Sequence, residues 1–259
     1  MTKILADILE NKRAEIARAK AACPSETLRE IIEPSTRDFR GALLGGRGET
    51  LPKLIAELKR KSPSKKTICK NLDVEKIVKI YNLRAAAISI LTDFKFFGGS
   101  LEDLCEANHA SEIPILRKDF IFDEYQLLEA RQFGADAVLL IACILEIEEI
   151  EKLLAEAKKL GMDCLVEIHS NEDLEKVLKT SAEIIGINSR NLDSLEINLE
   201  TIFQLLPKIP TEKIIVAESG IKSREDLDKL SGKVDAVLIG TSILNSDNIE
   251  AKLLELTTL

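Results

Sequence analysis

The apolar positions of the chain fall into eight short runs that have the composition of β-strands. Amphipathic stretches with helical spacing separate them, among them residues 148–161, which end at Gly161, and residues 173–180. The runs, rich in Ile, Leu and Val, are residues 54–58, 86–91, 113–118, 137–142, 164–168, 184–188, 214–218 and 236–240. Strands that alternate with helices along a chain predict βαβ units and a parallel sheet.

Eight such units in about 200 residues favour a closed (βα)8 TIM barrel of the α/β class. An open doubly wound sheet is the structural alternative, but it usually has a Gly-x-Gly-x-x-Gly turn after its first strand, and no such turn follows residues 54–58. The first 50 residues do not follow the repeat, because residues 4–20 and 37–44 have the pattern of amphipathic helices. We therefore predict one domain over residues 1–259, with an N-terminal helical extension (1–50) and a barrel (51–259). The extension either only braces the barrel or also shapes a site.

Composition excludes several classes of function. The formal net charge is −8 and there is no basic block, which argues against nucleic-acid binding. The longest apolar run, residues 137–145, is much shorter than the roughly 20 residues of a membrane span, and the N-terminus has no apolar signal segment. Five scattered cysteines without a Cys-x-x-Cys pair favour a reducing cytoplasm. With His109 and His169 as the sole histidines, a His-based metal site is not expected.

The period of two within the strands separates residues that face inward from residues that face outward. In the first strand Ile55, Glu57 and Lys59 share one face, so a carboxylate and an ammonium follow an apolar residue there. In the third strand Lys118 is predicted to face inward, which turns Arg117 outward. A charged inward face means that the strand either meets water or opens into a site.

The polar residues at the strand ends converge on one edge of the predicted barrel. Active sites of such barrels lie at the C-terminal mouth of the strands. The residues concerned are Glu57, Lys59, Lys118, Glu167, Asn188, Arg190 and Glu218. Each alone could be a solvated strand-end charge or half of a surface ion pair. Burying them together would cost several kcal/mol without a purpose, whereas closely paired acids and bases suit general acid–base catalysis.

Small residues after the last two strands predict a phosphate site. Ser219-Gly220 follows the seventh strand and Gly240-Thr241 follows the eighth, where backbone N–H groups of such barrels approach phosphates. Glycines could also serve only to make tight turns. An anionic ligand would explain the basic residues near this rim, which are Lys59, Arg60, Lys61, Lys118 and Arg190.

Three further residues near the mouth have weaker patterns. Phe97 and Phe120 follow the second and third strands and could either contact an aromatic substrate or anchor loops. His169 shares the face of Glu167, and we predict a hydrogen-bonded structural role for it.

Eight segments together carry a resemblance to a known family. They are AELKRKSPSK (56–65), SILTDFKFFGGS (89–100), ILRKDFIFDEYQ (115–126), ADAVLLIACIL (135–145), LVEIH (165–169), IGINSRNL (185–192), AESGI (217–221) and LIGTSIL (238–244). In this order they resemble indole-3-glycerol phosphate synthase, and the RDFRGAL stretch of the extension is similar to that family as well. The Glu-x-Lys-x-x-Ser-Pro-Ser stretch is the most specific of these motifs.

The resemblance implies a lyase of tryptophan biosynthesis that uses no metal or organic cofactor. Its substrate, the small-molecule partner, would be the anthranilate-derived 1-(2-carboxyphenylamino)-1-deoxyribulose 5-phosphate, which undergoes ring closure, decarboxylation and dehydration. By resemblance Lys118 is the general acid, Glu167 the base, and Lys59 the ligand of the substrate carboxylate and an acid in the dehydration. Glu57 would orient the lysines and a substrate hydroxyl, with Asn188 and Glu218 beside it. The remaining assignments are Ser62, Ser219, Gly220, Gly240 and Thr241 for the phosphate, Phe97, Phe120, Leu139 and Leu192 for the aromatic ring, and Arg190 for substrate binding.

Two alternatives remain at this point. Phosphoribosylanthranilate isomerase has the same kind of barrel but would need an early Cys base and an Asp acid and would lack the extension. A barrel that binds phosphate ligands without catalysis is the other. The resemblance further implies a mobile loop that begins at Ser62, rich in lysine (Lys65, Lys66), and we expect a cytoplasmic monomer or weak homodimer without nucleic-acid or membrane partners.

Overall fold

A computed structural model describes residues 3–62, 72–192 and 194–258 of the chain. The predicted mobile loop after Ser62, with Lys65 and Lys66, lies outside these residues. Within the described part, no helix is both long enough and apolar enough to cross a membrane.

Eight parallel strands close into a barrel in which each strand pairs with its neighbour in sequence and the last pairs with the first. The strands are β1 (Lys53–Leu58), β2 (Ala87–Leu91), β3 (Ile115–Lys118), β4 (Ala137–Ile141), β5 (Asp163–Ile168), β6 (Ile184–Asn188), β7 (Ile214–Glu218) and β8 (Ala236–Ile239). The predicted (βα)8 barrel is therefore confirmed, and the open sheet is excluded because β8 pairs with β1.

Helices connect the strands and precede them. They are α1 (Lys3–Ala22), α2 (Ser25–Ile31), α3 (Phe39–Leu43), α4 (Val74–Asn82), α5 (Phe94–Phe97), α6 (Leu101–Ala110), α7 (Glu124–Gln132), α8 (Ile147–Lys159), α9 (Asn171–Val177), α10 (Glu200–Leu205), α11 (Arg224–Leu230), α12 (Thr241–Leu244) and α13 (Ile249–Thr257). Short 3-10 turns cover Gly46–Gly48, Ala142–Ile144 and Leu206–Lys208. Helix α9 begins two residues before the predicted start, because the Ser170 side chain accepts a hydrogen bond from the N–H of Asp173 and caps the helix.

The alternation along each strand divides the core into two layers. Inward residues such as Ile55, Leu116 and Leu165 fill the barrel, while outward residues such as Ala56 and Val138 pack against the helices. Side chains of both layers are almost fully buried, which is how a chain poor in aromatic residues builds its core from Ile, Leu, Val and Ala.

Arg117 confirms the predicted orientation of β3. Its guanidinium lies outside the barrel, where Nη1 donates to the carbonyl of Gln126 at 2.9 Å and Nη2 lies 2.8 Å from Glu129 Oε2. Both partners belong to α7. Lys118 consequently points to the opposite, inner face.

The N-terminal extension contacts both ends of the barrel. At the C-terminal mouth, Leu5, Ile8 and Leu9 of α1 pack into the inner apolar cluster. At the opposite end, Arg37 pairs with Asp136 at 2.7 Å and Arg47 with Asp235 at 2.9 Å, just before β4 and β8. The extension is thus joined to the barrel by apolar packing at the C-terminal mouth and by ion pairs at the N-terminal end of the strands.

Candidate active site

The C-terminal ends of the strands open into a cavity of about 530 Å³. Every residue that the sequence predicts for the site lines it, namely Glu57, Lys59, Ser62, Phe97, Lys118, Phe120, Leu139, Glu167, Asn188, Arg190, Leu192, Glu218, Ser219, Gly220, Gly240 and Thr241. Helix α1 contributes Ile4, Leu5 and Ile8 to the same lining. The extension therefore shapes the cavity as well as bracing the barrel.

Lys118 occupies the centre of the polar side of the cavity. Its Nζ lies 2.5 Å from Glu218 Oε2 and 3.2 Å from Glu167 Oε2. Burial opposes the charge of this ammonium, but the carboxylates of Glu218 and Glu167 outweigh burial and raise the pKa of Lys118. The lysine is therefore a protonated, hydrogen-bonded donor.

The two glutamates beside Lys118 differ in their electrostatic surroundings. Burial disfavours the charge of Glu167, but Lys118 and His169 outweigh burial and lower its pKa. Burial and the charge of Glu167 act against the charge of Glu218 and together outweigh Lys118, so the pKa of Glu218 is raised to about 8. One fold thus holds one carboxylate that stays ionised and another that takes up a proton more readily.

Glu57 and Lys59 form an ion pair at the end of β1. The carboxylate of Glu57 is buried, whereas 16% of the Lys59 side chain stays exposed, so the ammonium can reach a ligand in the cavity. Gly240 leaves room for this carboxylate, because a Cβ at that position would lie 2.6 Å from Glu57 Oε1. The absence of a side chain at Gly240 is therefore a requirement of the Glu57 position.

Asn188 and Arg190 shape the side of the cavity that follows β6. The side-chain oxygen of Asn188 accepts a hydrogen bond from the N–H of Arg190 at 2.9 Å. Arg190 Nη1 donates to the carbonyl of Leu195 at 2.9 Å, and a backbone bridge pairs Arg190 with Ile197. Burial lowers the pKa of the Arg190 guanidinium, which nevertheless remains a cation near neutral pH.

The two loops predicted to hold phosphate lie next to each other. Ser219 and Gly220 both have left-handed backbones, with φ of 65° and 82°. The hydroxyl of Ser189 donates to the carbonyl of Ser219 at 2.9 Å, and the hydroxyl of Ser242 donates to the carbonyl of Ile221 at 3.3 Å. The second bond ties the loop after β7 to the residues after β8.

Phe97 and Phe120 form the aromatic part of the lining. Their ring centroids are 6.0 Å apart at an interplanar angle of 42°. Leu139 and Leu192 contribute the neighbouring apolar surface. The cavity therefore has three parts: an apolar pocket, the small-residue loops after β7 and β8, and a charged floor. The charged floor consists of Glu57, Lys59, Lys118, Glu167 and Glu218.

Two basic residues of the predicted rim do not line the cavity. Arg60 pairs with Asp103 of α6, and Lys61 Nζ donates to the carbonyl of Lys95 at 2.6 Å. Both side chains are therefore held against α5 and the first turn of α6, which follow β2.

Sequence reasoning missed Gly186 in the middle of β6. A Cβ there would lie 2.2 Å from Glu218 Oε1, so any side chain at this position would force the carboxylate to move. The signal was present, because a glycine inside a buried apolar strand often marks a close approach by another group. The lining residues Leu195 and Ile197 gave no comparable signal, since they belong to an irregular loop.

Comparisons with known proteins agree with this geometry. The family model described as indole-3-glycerol phosphate synthase matches residues 5–256. The chain belongs to this family. An indole-3-glycerol phosphate synthase of Neisseria meningitidis is 42% identical over 256 residues, covering 97% of this chain and 98% of that protein. One of Campylobacter jejuni is 44% identical over 250 residues, covering 95% and 96%.

Membership of the family confirms the predicted lyase class and the place in tryptophan biosynthesis. The isomerase alternative is set aside, because the family match includes the N-terminal extension that this rival would lack. The barrel of a tryptophan synthase from M. tuberculosis superimposes with a TM-score of 0.62 at 12% identity, covering 86% of this chain and 98% of that chain. At that identity the likeness shows the fold alone.

Proposed function

We propose that the cavity converts 1-(2-carboxyphenylamino)-1-deoxyribulose 5-phosphate to indole-3-glycerol phosphate, carbon dioxide and water by acid–base chemistry of its side chains. The observation that carries the proposal is the contact of Lys118 with Glu167 and Glu218 at the junction of apolar pocket and charged floor. Substrate would bind with its ring on Phe97 and Phe120 and its phosphate at the loops after β7 and β8.

Ring closure forms a bond between the aromatic carbon that carries the carboxylate and the carbonyl carbon of the ribulose chain. Negative charge develops on the carbonyl oxygen, and Lys118 transfers a proton to it. The raised pKa keeps this lysine protonated at neutral pH, so the general acid carries its proton before the reaction begins. Hydrogen bonds to the two carboxylate partners hold the ammonium in one orientation, and the charges of these partners keep it protonated.

Decarboxylation then restores the aromatic ring, because the electrons of the breaking carbon–carboxylate bond return to it. We assign to Lys59 the role of binding and orienting that carboxylate. Its ammonium is paired with Glu57 and partly exposed to the cavity. A cation at this place also offsets the charge of a second anionic group on the substrate.

Dehydration completes the second ring. The former carbonyl oxygen leaves as water after Lys59 donates a proton, and Glu167 accepts the proton whose loss forms the double bond of the pyrrole ring. The lowered pKa of Glu167 keeps it ionised and therefore able to act as a base. Asn188, Arg190 and Glu218 would hold the hydroxyl groups of the chain during this step.

Phosphate binding is assigned to Ser219, Gly220, Gly240 and Thr241, with Ser62 approaching from β1. The left-handed backbone of Ser219 and Gly220 directs main-chain N–H groups in ways that extended backbone does not. The apolar pocket of Phe97, Phe120, Leu139 and Leu192 suits a benzene ring.

The test uses the product's own fluorescence. The chain contains no Trp, so the indole emission of indole-3-glycerol phosphate can be followed without tryptophan emission from the protein. We expect turnover by the wild type, and none by Lys118→Ala. Lys152→Ala is the matched control, because that lysine is a solvent-exposed residue of α8 paired with Glu124.

Each outcome has a distinct meaning. Turnover that Lys118→Ala abolishes and Lys152→Ala leaves unchanged would support the reaction and its acid together. Normal turnover by Lys118→Ala would refute the acid assignment. Saturable binding of substrate to the wild type without turnover would favour the non-catalytic barrel, and absence of binding would refute the function.

We further propose that extension (1–50) and barrel (51–259) form one folding unit in a cytoplasmic monomer or weak homodimer. Four free cysteines among the described residues, Cys23, Cys105, Cys143 and Cys164, suit a reducing compartment. The packing of α1 into the inner apolar cluster supports a single unit. A single urea transition would agree with it, and light scattering after gel filtration measures the oligomeric state.

A further inference from the structure

A buried ammonium in the N-terminal extension joins two loops of the active-site mouth. Lys12 of α1 is 3% exposed. Its Nζ lies 3.2 Å from Asp93 Oδ2 and 3.0 Å from Asp119 Oδ1. Glu15, one turn along the same helix, is a third partner at 2.7 Å. One cation of α1 therefore bridges the loop after β2 and the loop after β3.

The first aspartate holds the helix that carries Phe97. Asp93 is the N-cap of α5, and its Oδ1 accepts hydrogen bonds from the N–H groups of Phe96 at 2.7 Å and Phe97 at 3.3 Å. Its other oxygen, Oδ2, has no hydrogen bond within residues 3–62, 72–192 and 194–258, so the Lys12 ammonium is its counter-charge. Loss of that ammonium would leave a buried carboxylate without its counter-charge at the N-terminus of the helix that carries Phe97.

The second aspartate stands between Lys118 and Phe120 in the chain. Asp119 Oδ1 accepts from the N–H of Phe120 at 2.8 Å, and Oδ2 accepts from the hydroxyl of Thr92 at 2.7 Å. Lys12 approaches the same Oδ1 that binds the N–H of Phe120. The position of Phe120 thus depends on the same ammonium as the position of Phe97.

Stability alone does not account for this arrangement. A buried ion pair loses hydration on folding, and apolar residues of similar size often replace it with equal or greater stability. Lys12 lies in the apolar stripe of α1 with Leu5, Ile8, Leu9 and Ile16, where another apolar residue would complete the packing. The ammonium differs from an apolar residue because its ion pairs hold two loops at a set distance from α1. These loops carry the neighbouring rings of Phe97 and Phe120.

We propose that Lys12 is a positioning residue that sets the spacing of Phe97 and Phe120 and thereby the binding of the aromatic ring of the substrate. This inference rests on the proposed function, in which these two rings receive that part of the substrate. The charges agree with it, because Asp119 and Asp93 outweigh burial and raise the pKa of Lys12, and Lys12 with Arg117 lowers the pKa of Asp119 to about 2 against the effect of burial. Lys12 and Asp119 therefore remain charged and paired at neutral pH, whereas burial raises the pKa of Asp93 against the opposing charge of Lys12.

The experiment compares Lys12→Met with Lys20→Met. Lys20 is in the same helix and pairs with Asp123 at 2.7 Å, but on the surface and outside the cavity lining. We would measure KM for the substrate and the Kd of indole-3-glycerol phosphate, using its indole emission against the Trp-free chain. A shift of the two rings should raise both constants by about tenfold in Lys12→Met, given how steeply binding and rate depend on placement, and leave them unchanged in Lys20→Met.

KM and Kd separate positioning from simple loss of fold, since a variant that is at least half folded changes either apparent constant by no more than about twofold, well below the expected tenfold. Lys12→Met with the KM and Kd of the wild type would overturn the proposal, even if its activity per milligram fell. If Lys12→Met does not fold, Lys12→Met/Asp93→Asn removes one unbalanced buried charge and keeps an oxygen that can cap α5. We expect raised KM and Kd in this variant too, and constants equal to the wild type would overturn the proposal. A wild type that binds substrate and product without turnover would refute the proposed chemistry but leave the Kd comparison valid.

Discussion

The imidazole of His169 lies against the carboxylate of Glu167, with Nε2 3.2 Å from Oε1. Glu167 lies in β5 and His169 follows the strand directly, so residues two apart bring their side chains to the same side. Lys118 and His169 therefore both contact the carboxylate of Glu167, and Lys118 also contacts Glu218. The predicted structural histidine is thus part of the charge balance around the proposed base.

This contact predicts a pH-dependent contribution of His169 to stability. Burial would lower its pKa, but Cys143 and Glu167 outweigh burial and raise the pKa to about 10. In the unfolded chain the value is about 6.5, so the stabilisation is complete below that pH and is lost as pH rises through the folded value. The difference in free energy of unfolding between wild type and His169→Gln should therefore be largest in mild acid and shrink towards about pH 10, measured by urea unfolding at several pH values.

The chain supplies its own control for that experiment. His109, the other histidine, is in α6 with its Nδ1 3.8 Å from Cys105 Sγ, outside the cavity lining. Subtracting the pH dependence of His109→Gln corrects for the loss of a histidine as such. A stability difference for His169→Gln that stays constant with pH would contradict the charge assignment.

Gly186→Ala should damage the site through Glu218. The added Cβ would lie 2.2 Å from Glu218 Oε1, and the carboxylate is held on its other side by Lys118. We expect kcat to fall at least about tenfold because displaced catalytic groups lose their alignment, with about 1–3 kcal/mol lost from the free energy of unfolding. Steady-state kinetics and urea unfolding measure the two effects.

Gly48→Ala is the matched variant, since a Cβ there meets nothing within 4 Å. It should keep the kinetic constants of the wild type. If Gly186→Ala kept them as well, Glu218 could move without consequence, and its assigned place beside Lys118 would be wrong.

Gly220→Ala should weaken phosphate binding. Gly220 has φ of +82°, and a Cβ there would lie 2.6 Å from Ile197 Cγ2 and 2.9 Å from Leu199 Cδ2, so the loop must shift. Because phosphate contacts are made equally in the ground state and the transition state, we expect KM to rise by about tenfold with a smaller change in kcat.

Gly45→Ala separates backbone strain from the effect on the ligand. Gly45 has a similar φ of +80° but nothing lies within 4 Å of its Cβ position. That variant should lose about 1–2 kcal/mol of stability from the left-handed backbone and keep its KM. Equal values of KM in the two variants would argue against phosphate binding at Gly220.

The sequence predicted the strands and the site because both follow from one period. Alternation in a run such as residues 113–118 decides which side chains enter the barrel, and closure of the sheet brings all strand ends to one mouth. A charge such as Lys118 at the inward end of an apolar strand must then meet other strand ends. Glu167 and Glu218, from β5 and β7, became its partners for this geometric reason.

The remaining contacts depend on distances that no local pattern encodes. Lys12 pairs with Asp93 and Asp119, which are far away in sequence, and its sole signal is a charge within an apolar helix stripe. Helix α5, with four residues, is too short to show a period. Arg60, like Lys59, follows β1, but its side chain pairs with Asp103. The alternation of a strand does not predict the direction of side chains beyond the last strand residue.

Arg117→Met should destabilise the fold strongly. The guanidinium is almost fully buried, and its Nη2 lies 3.1 Å from Asp119 Oδ2 and 2.8 Å from Glu129 Oε2. Removing it takes one of two cations, Arg117 and Lys12, from the buried carboxylate of Asp119 and the paired cation from the partly buried Glu129, so we expect a loss of about 3–5 kcal/mol in the free energy of unfolding, measured in urea. Arg224→Met, which breaks a surface pair with Asp228 at 2.8 Å, should lose less than about 1 kcal/mol. Equal losses in the two variants would mean that water reaches the Arg117 site and supports the carboxylates in its place.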